Sequence, residues 1–470
     1  MIRQINANDV SIRKFDIYSA RGLYDLRPHF LELHLYENIY RSAITGKAVL
    51  SDSHNIPYKL PIVGEETLDI DISMVGLEDL ANSTVLSVTP PKLHVNSLKA
   101  RYFTKPKAQI FTLDLVSEQY ISSLHSKVSK SYRGKTISSI ADDIYFRYLD
   151  DGERGMSFLP TERIENIVIP NLSPIDAIDW LAKRAQKDSA VNYLFFETMD
   201  ESYFVTLDHL AKQEPVVTFI HKARSDDPTG IAHIATGIFK INKFYFKHQF
   251  NKKHNIERGV YSSKLITHDI VTKKITQHEY TGFNEWFAFN HCGDFPPLSN
   301  SDVETKASGV ARTTHAPSNE ANKYPTTDER NLARQIDSHV EFFPKHNQMY
   351  ALNTNDLYDN KVEDWKLRRN AHIGIYDGIT LVLEVSGNSG LRVGQIVNVI
   401  LPSPESTDRD KKSDGGIDKF LSGKYMVTAI QHIFSQITQT DPKIKYDMKI
   451  EVTKDGLEEP VPFRESRKED

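Results

Sequence analysis

Apolar residues recur at every second position in short runs near both ends of the chain, and this period of two constrains the fold more than any other feature. Leu31, Leu33 and Leu35 alternate with Glu32 and His34; Leu68, Ile70 and Ile72 alternate with Asp69 and Asp71. Phe111, Leu113 and Leu115 alternate with Thr112 and Asp114. Far along the chain, Ile379, Leu381, Leu383 and Val385 repeat the pattern, and Tyr446, Met448, Ile450 and Val452 alternate with Asp447, Lys449, Glu451 and Thr453. Successive side chains of an extended chain point to opposite faces, so each run reads as a strand with one buried and one wet face. Ile44–Leu50 is a further strand candidate, with Pro57, Pro61 and Gly64 interrupting pairing after it. Ile396–Leu401 is a near-continuous apolar run suited to a strand buried on both faces, and Tyr425–Ile430 resumes the same sheet.

Between these regions the period changes. Ile137, Ile140, Ala141, Ile144, Tyr145 and Tyr148 fall at helical spacing, with Thr136 as the cap and Gly152 as the stop. A second helix opens at Ser173-Pro174-Ile175-Asp176: Ser173 caps, Pro174 suits the first helical position, and Asp176 answers the cap. Two strands follow, Tyr193–Glu197 and Tyr203–Leu207. A chain of 470 residues exceeds what one ordinary core supports. We therefore divide it into a β-domain at 1–120, a helix-containing insertion with a hairpin at 121–235, a β-rich segment at 236–345, and a second β-domain at 346–470. The third segment ends in a Ser-, Thr-, Asn- and Pro-rich loop at 296–330; the fourth carries a polar excursion at 402–418 and a charged tail from Arg464 to Asp470. The expected fold class is mainly β with α insertions (α+β), two antiparallel barrel or sandwich domains and a smaller helix-containing one.

The search for chemistry yields no catalytic, cofactor-binding or metal-binding residues to name. Arg133-Gly134-Lys135-Thr136 looks like the end of a phosphate loop, but the required upstream glycine is Ser129. His278-Glu279 opens like a zinc-protease helix, yet the second histidine position is Gly282. Gly387 and Gly390 enclose a turn and not a nucleophile elbow. Cys292 is the single cysteine, so no internal disulfide forms; beside His291 it reads as an inert thiol in a chain assembled under reducing conditions. Asp142-Asp143, Glu65-Glu66 and Glu320 are carboxylates of the type a glycosidase pairs, but solvated faces are the default reading of them, since buried carboxylates are rare unless paired. The eighteen histidines show no metal-ligand spacing. Phe244-Tyr245-Phe246-Lys247-His248 mixes aromatic and basic residues, which strand alternation explains without a nucleic-acid platform. A net charge of −5 argues against sequence-independent nucleic-acid binding, and no run approaches the ~20 apolar residues of a membrane span.

Two segments carry a family resemblance. Leu35-Tyr36-Glu37-Asn38-Ile39-Tyr40, Ile44–Ser53 and Leu60–Glu66 resemble the start of T-even-type baseplate central hub proteins of contractile-tailed phages. Trp365–Arg369, Leu391–Gln395 and Leu421–Thr428 are similar to the end of the same family. The resemblance implies a non-enzymatic structural protein of the virion tail baseplate, assembled in the host cytoplasm, whose two tube-like β-domains per chain let a homotrimer build a six-fold-like ring. Implied partners are the central spike protein, the tail tube or tube-initiator protein and the baseplate wedge proteins, with DNA passing through the lumen without specific binding. It implies no cofactor. The alternatives are a tail-associated peptidoglycan hydrolase and the hub of a phage-tail-like secretion or injection device.

Overall fold

The computed structural model describes residues 8–74, 87–105, 108–150, 152, 154–221, 239–282, 286–296, 339–345, 361–402, 417–418, 420–437 and 443–459. Strands β1 (Asp9–Ser19), β2 (Gly22–Asp25), β3 (Phe30–Asn38) and β4 (Thr45–Asp52) lead through a one-turn helix α1 (Ile56–Lys59) into β5 (Thr67–Met74), β6 (Ser87–Val88), β7 (Leu93–Lys105) and β8 (Ala108–Ser117). Next come α2 (Glu118–Leu124), β9 (Val128–Thr136), α3 (Ile137–Tyr148), β10 (Met156–Phe158), β11 (Ile164–Leu172) and α4 (Pro174–Ala182). They are followed by β12 (Tyr193–Glu197), β13 (Ser202–Thr206), α5 (Leu207–Ala211), β14 (Val217–Ile220), β15 (Ile241–Gln249) and α6 (Lys252–Glu257). The remainder is β16 (Ser262–Asp269), β17 (Lys274–Thr281), β18 (Val340–Lys345), α7 (Val362–Ile375), β19 (Ile379–Ser386), β20 (Ile396–Ile400), β21 (Gly423–Gln436) and β22 (Ile444–Lys454). The protein is mainly β with helical insertions, as the period-two runs predict.

Fourteen strands form one hydrogen-bonded sheet whose pairings close on themselves twice. The first circuit runs β21-β3-β4-β8-β7-β5-β1-β22 and returns through the β21–β22 pairing. The second runs β14-β20-β21-β22-β19-β15 and returns to β14 by a bridge between Lys240 and Ile220. Both circuits share the hairpin of β21 and β22, 14 and 11 residues long against a usual five or six. Along β21, Gly423–Met426 pairs with β20 while Ala429–Ser435 pairs with β3. Along β22, Ile444 and Lys445 meet β1 while Asp447–Lys454 pairs with β19. The strands β14 and β15, which lie in the 121–235 and 236–345 spans, pair with β20 and β19 of the 346–470 span.

One apolar core threads both circuits. Phe15, Leu33, Leu35, Leu68, Phe111 and Leu113 from the first part of the chain join Leu381, Leu383, Phe434 and Ile450 from the last, all fully buried. Each such side chain contributes about 1.5–3 kcal/mol on leaving water. The turn after β19 is closely overlaid: a Cβ at Gly387 would stand 2.0 Å from the Tyr446 ring, so only glycine fits there.

A second core lies between α3, α4, the β9–β11 pair and the three-stranded sheet β10-β13-β12. Thr136 caps α3, accepting from Ser139 N at 3.4 Å. Ser173 caps α4: its Oγ accepts from Asp176 N at 3.3 Å and donates to Asp176 Oδ2 at 2.6 Å, with Pro174 inside the first turn. The α3 helix ends at Tyr148, before Gly152, which takes φ +75 in the following turn. A third, small core packs α7 on the sheet β17-β16-β18 through Leu265, Tyr280, Trp365 and Leu367. The 296–330 loop, except Pro296, and the Arg464–Asp470 tail lie outside the described residues. Of the 402–418 excursion, Pro402 and Ile417 bridge its base, and 403–416 lies outside the described residues.

Candidate functional site

A cleft of about 550 Å³ opens where the first circuit meets the helical unit, with Tyr36, Tyr40, Arg41, Lys47, Asp114 and Asp179 among its lining residues. The β3–β4 turn borders it and is tied to the helical unit. Ser42 Oγ donates to Asp179 Oδ2 on α4 at 3.0 Å, and Ile44 N donates to Glu197 Oε2 on β12 at 3.0 Å. Glu197 is itself buried and receives Arg154 Nη1 at 2.7 Å, so both carboxylate oxygens are engaged. Burial pushes the Asp179 carboxyl up to about 6, against the opposing pull of Ser42 and Lys183. From α7, the buried Arg369 donates to Ala182 O and Val191 O, both at 3.0 Å, satisfying a carbonyl at the end of α4. Desolvation there lowers the guanidinium to about 10.

A carboxyl titrating near 6 has a value suited to proton transfer. Asp179, however, spends its oxygen on the turn that joins two units, and the cleft mixes Arg41 and Lys47 with Asp114 and Asp176. The arrangement locks the first circuit to the helical unit.

Most of the residues weighed in the sequence that the structure describes have structural partners or are exposed. Asp143 accepts from Lys130 at 2.8 Å, Tyr132 at 2.7 Å and Arg147 at 2.7 Å. Burial opposes its ionisation, but these three donors outweigh burial and hold it down at about 2. Asp142 is exposed. Glu66 is buried and accepts from Val63 N and Gly64 N, closing a turn, while Glu65 is exposed. Glu320 lies outside the described residues. Cys292 is buried, and burial raises its thiol well above the usual range. His291 points elsewhere, with Nδ1 2.6 Å from Asp455 Oδ2 and Nε2 2.6 Å from Trp286 O, so no thiol–imidazole pair forms. Gly134 sits in β9 at φ +63 with its N–H on Asn166 Oδ1. His278 and Glu279 lie on strand β17, not on a helix. In β15, Phe244 and Phe246 pack on the main core while Tyr245 and Lys247 face out, the alternation expected of a strand. Among the described residues, His29, Asp52 and His54 bring three metal-ligating atoms within 4.8 Å of one another. No helix among the described residues is long and apolar enough to cross a membrane.

No protein-family model and no curated protein matches the chain. Among solved structures it is similar to the tail protein from Neisseria meningitidis MC58, with a TM-score of 0.50 and 11% identity over 94% of this chain and 97% of that one. The chain shares the fold of that protein. Two further likenesses are looser. The 43 kDa tail protein of prophage MuSo2 from Shewanella oneidensis gives a TM-score of 0.47 and 9% identity, covering 95% of this chain and 99% of that one. The E. coli c3393 protein, a type VI secretion system component described as similar to T4 bacteriophage tail proteins gp27 and gp5, gives 0.39 and 8%, covering 96% and 79%.

Within this fold the sequence reading missed a polar seam in the shared wall. His432 on β21 lies 3.2 Å from Glu37 Oε1 on β3 through Nε2 and 2.8 Å from the Tyr446 hydroxyl through Nδ1. Glu37, His432 and Tyr446 are all buried. The signal was present: Glu37 follows Leu33 and Leu35 on the inward parity of β3, a charged residue at an apolar position.

Proposed function

We propose that the chain is the structural subunit of a phage-tail baseplate hub, three copies closing into a ring between tail tube and central spike. The observation that supports this most is the pair of closed strand circuits sharing the β21–β22 hairpin. Two ring-like units per chain let three subunits offer six docking positions to a six-fold tube while keeping a three-fold face for the spike. In this reading the tube or tube-initiator protein, the spike and the baseplate wedge proteins are the partners, and the virion baseplate is the location. DNA passes through a lumen that is polar and not basic, since a lysine-rich wall would retain it.

The role is scaffolding and not catalysis. Two of the five carboxylates weighed for a hydrolase are engaged in structure, Asp143 under three donors and Glu66 closing a turn, and Asp142 and Glu65 lie exposed. The outer face of the β17-β16-β18 sheet exposes Ile275 and Phe342, 67% and 75% accessible, an apolar surface that such an assembly would cover. Light scattering of the purified chain, alone and with its spike protein, tests the proposal. A three-chain particle that co-elutes with the spike is expected. A chain that stays single with the spike present, or one that clears peptidoglycan, would overturn it.

A further inference from the structure

We propose that His29, Asp52 and His54 form a binding site for one divalent transition-metal ion of the zinc type, at the end of the β3–β4 pair. The three residues come from two segments. His29 precedes β3, Asp52 ends β4, and His54 stands in the turn that follows, just before Asn55 in the left-handed region at φ 57. Their ligating atoms lie within 4.8 Å of one another.

The hydrogen bonds prepare each group for a metal. His29 is buried, and its Nδ1 donates to Ser51 O at 2.9 Å, which puts the ring proton on Nδ1 and the lone pair on Nε2. A ligating histidine characteristically spends its other ring nitrogen on a backbone carbonyl or carboxylate in this way. The Nε2 lone pair now receives the Tyr24 hydroxyl at 3.2 Å, a neutral contact that a metal ion would displace. Asp52 Oδ2 accepts from Ile56 N and Gln109 Nε2, and Oδ1 accepts from His54 N, each at 2.7 Å. A carboxylate has about four lone-pair positions, so one remains on Oδ1 while the other three hold the group still. His54 is exposed, and its ring meets that of His29 edge-on with centroids 5.4 Å apart.

Two imidazoles and a carboxylate suit zinc-type ions better than magnesium or calcium, which favour oxygen ligands alone. Ligand atoms around a tetrahedral zinc stand about 3.3 Å apart, given bonds of about 2.0 Å. The cluster must therefore contract by up to about 1.5 Å, and the exposed His54 side chain is the member free to move. Two rigid ligands and one mobile one make a site that closes on its ion.

The experiment uses the full-length, tag-free chain stripped with chelator and titrated with zinc chloride in a calorimeter. We expect one ion per chain. His54→Ala removes an exposed ligand without touching the core, and it should weaken binding at least tenfold and abolish a zinc-dependent rise in melting temperature. Tyr24→Phe removes the competing hydroxyl and should leave binding intact or tighter. No zinc binding by the wild-type chain, or binding that H54A leaves unchanged, would overturn the proposal.

Discussion

Replacing His432 by leucine should destabilise the protein far more than replacing His432 and Glu37 together. The two residues link β21 to β3 across 395 positions of sequence, and both are buried. The second carboxylate oxygen of Glu37, Oε2, has no hydrogen-bond partner among the described residues, so His432 supplies the donor to this group. Removing one member of a buried polar pair strands the other and costs about 3–5 kcal/mol, while replacing both by apolar residues of similar volume is close to neutral. Tyr446 is less exposed to the loss, because its hydroxyl keeps Asn388 O at 3.4 Å. The H432L chain should therefore lose about 4 kcal/mol and the E37M/H432L chain no more than about 1. Urea unfolding followed by circular dichroism reads the difference as a shift in midpoint at constant slope. If the double variant were as unstable as H432L, or less stable, the seam would not be a paired unit and the reasoning would fail.

Three further outcomes follow from the packing. Asp179 titrates near 6 when folded and near 3.8 when unfolded, so the native chain binds the extra proton and stability should fall as pH rises from about 4 to about 6. Asp179→Asn should flatten that slope and stabilise the protein by about 1–3 kcal/mol at pH 7, read from unfolding midpoints across pH. Gly387→Ala forces a methyl against the Tyr446 ring and should cost about 3 kcal/mol in urea unfolding, part of which Tyr446→Leu in the same chain restores. Ser173→Ala removes the α4 cap and should cost about 1 kcal/mol, visible as a lower melting temperature.

Strands with a sustained apolar run or alternation were legible in the sequence, and β1 and β7, whose bulges break the alternation into short pieces, were not. The runs around Leu33, Ile70, Phe111, Leu383 and Ile450 became β3, β5, β8, β19 and β22. In β1, Val10 and Ile12 lie on one parity and Phe15 and Ile17 on the other, because the register shifts between Ile12 and Lys14. β7 carries three such shifts, with Ala100 at φ 49 between paired segments, so its period dissolves. Both caps were readable because Ser173 and Thr136 act within three residues of themselves. The sharing of one hairpin by two circuits was not readable, since β21 pairs with β3, nearly four hundred positions away, as well as with its neighbours β20 and β22, and period two says nothing about which strand pairs with which. The same holds for His29 and Asp52, which only the β3–β4 pairing brings together.

Electron microscopy of the purified assembly tests most directly the proposal that three copies of this fold enclose a channel. Class averages should show a three-fold ring with an open centre and a six-lobed outline, two lobes for each chain. Isolated single chains, or a particle whose centre is filled with protein, would contradict it.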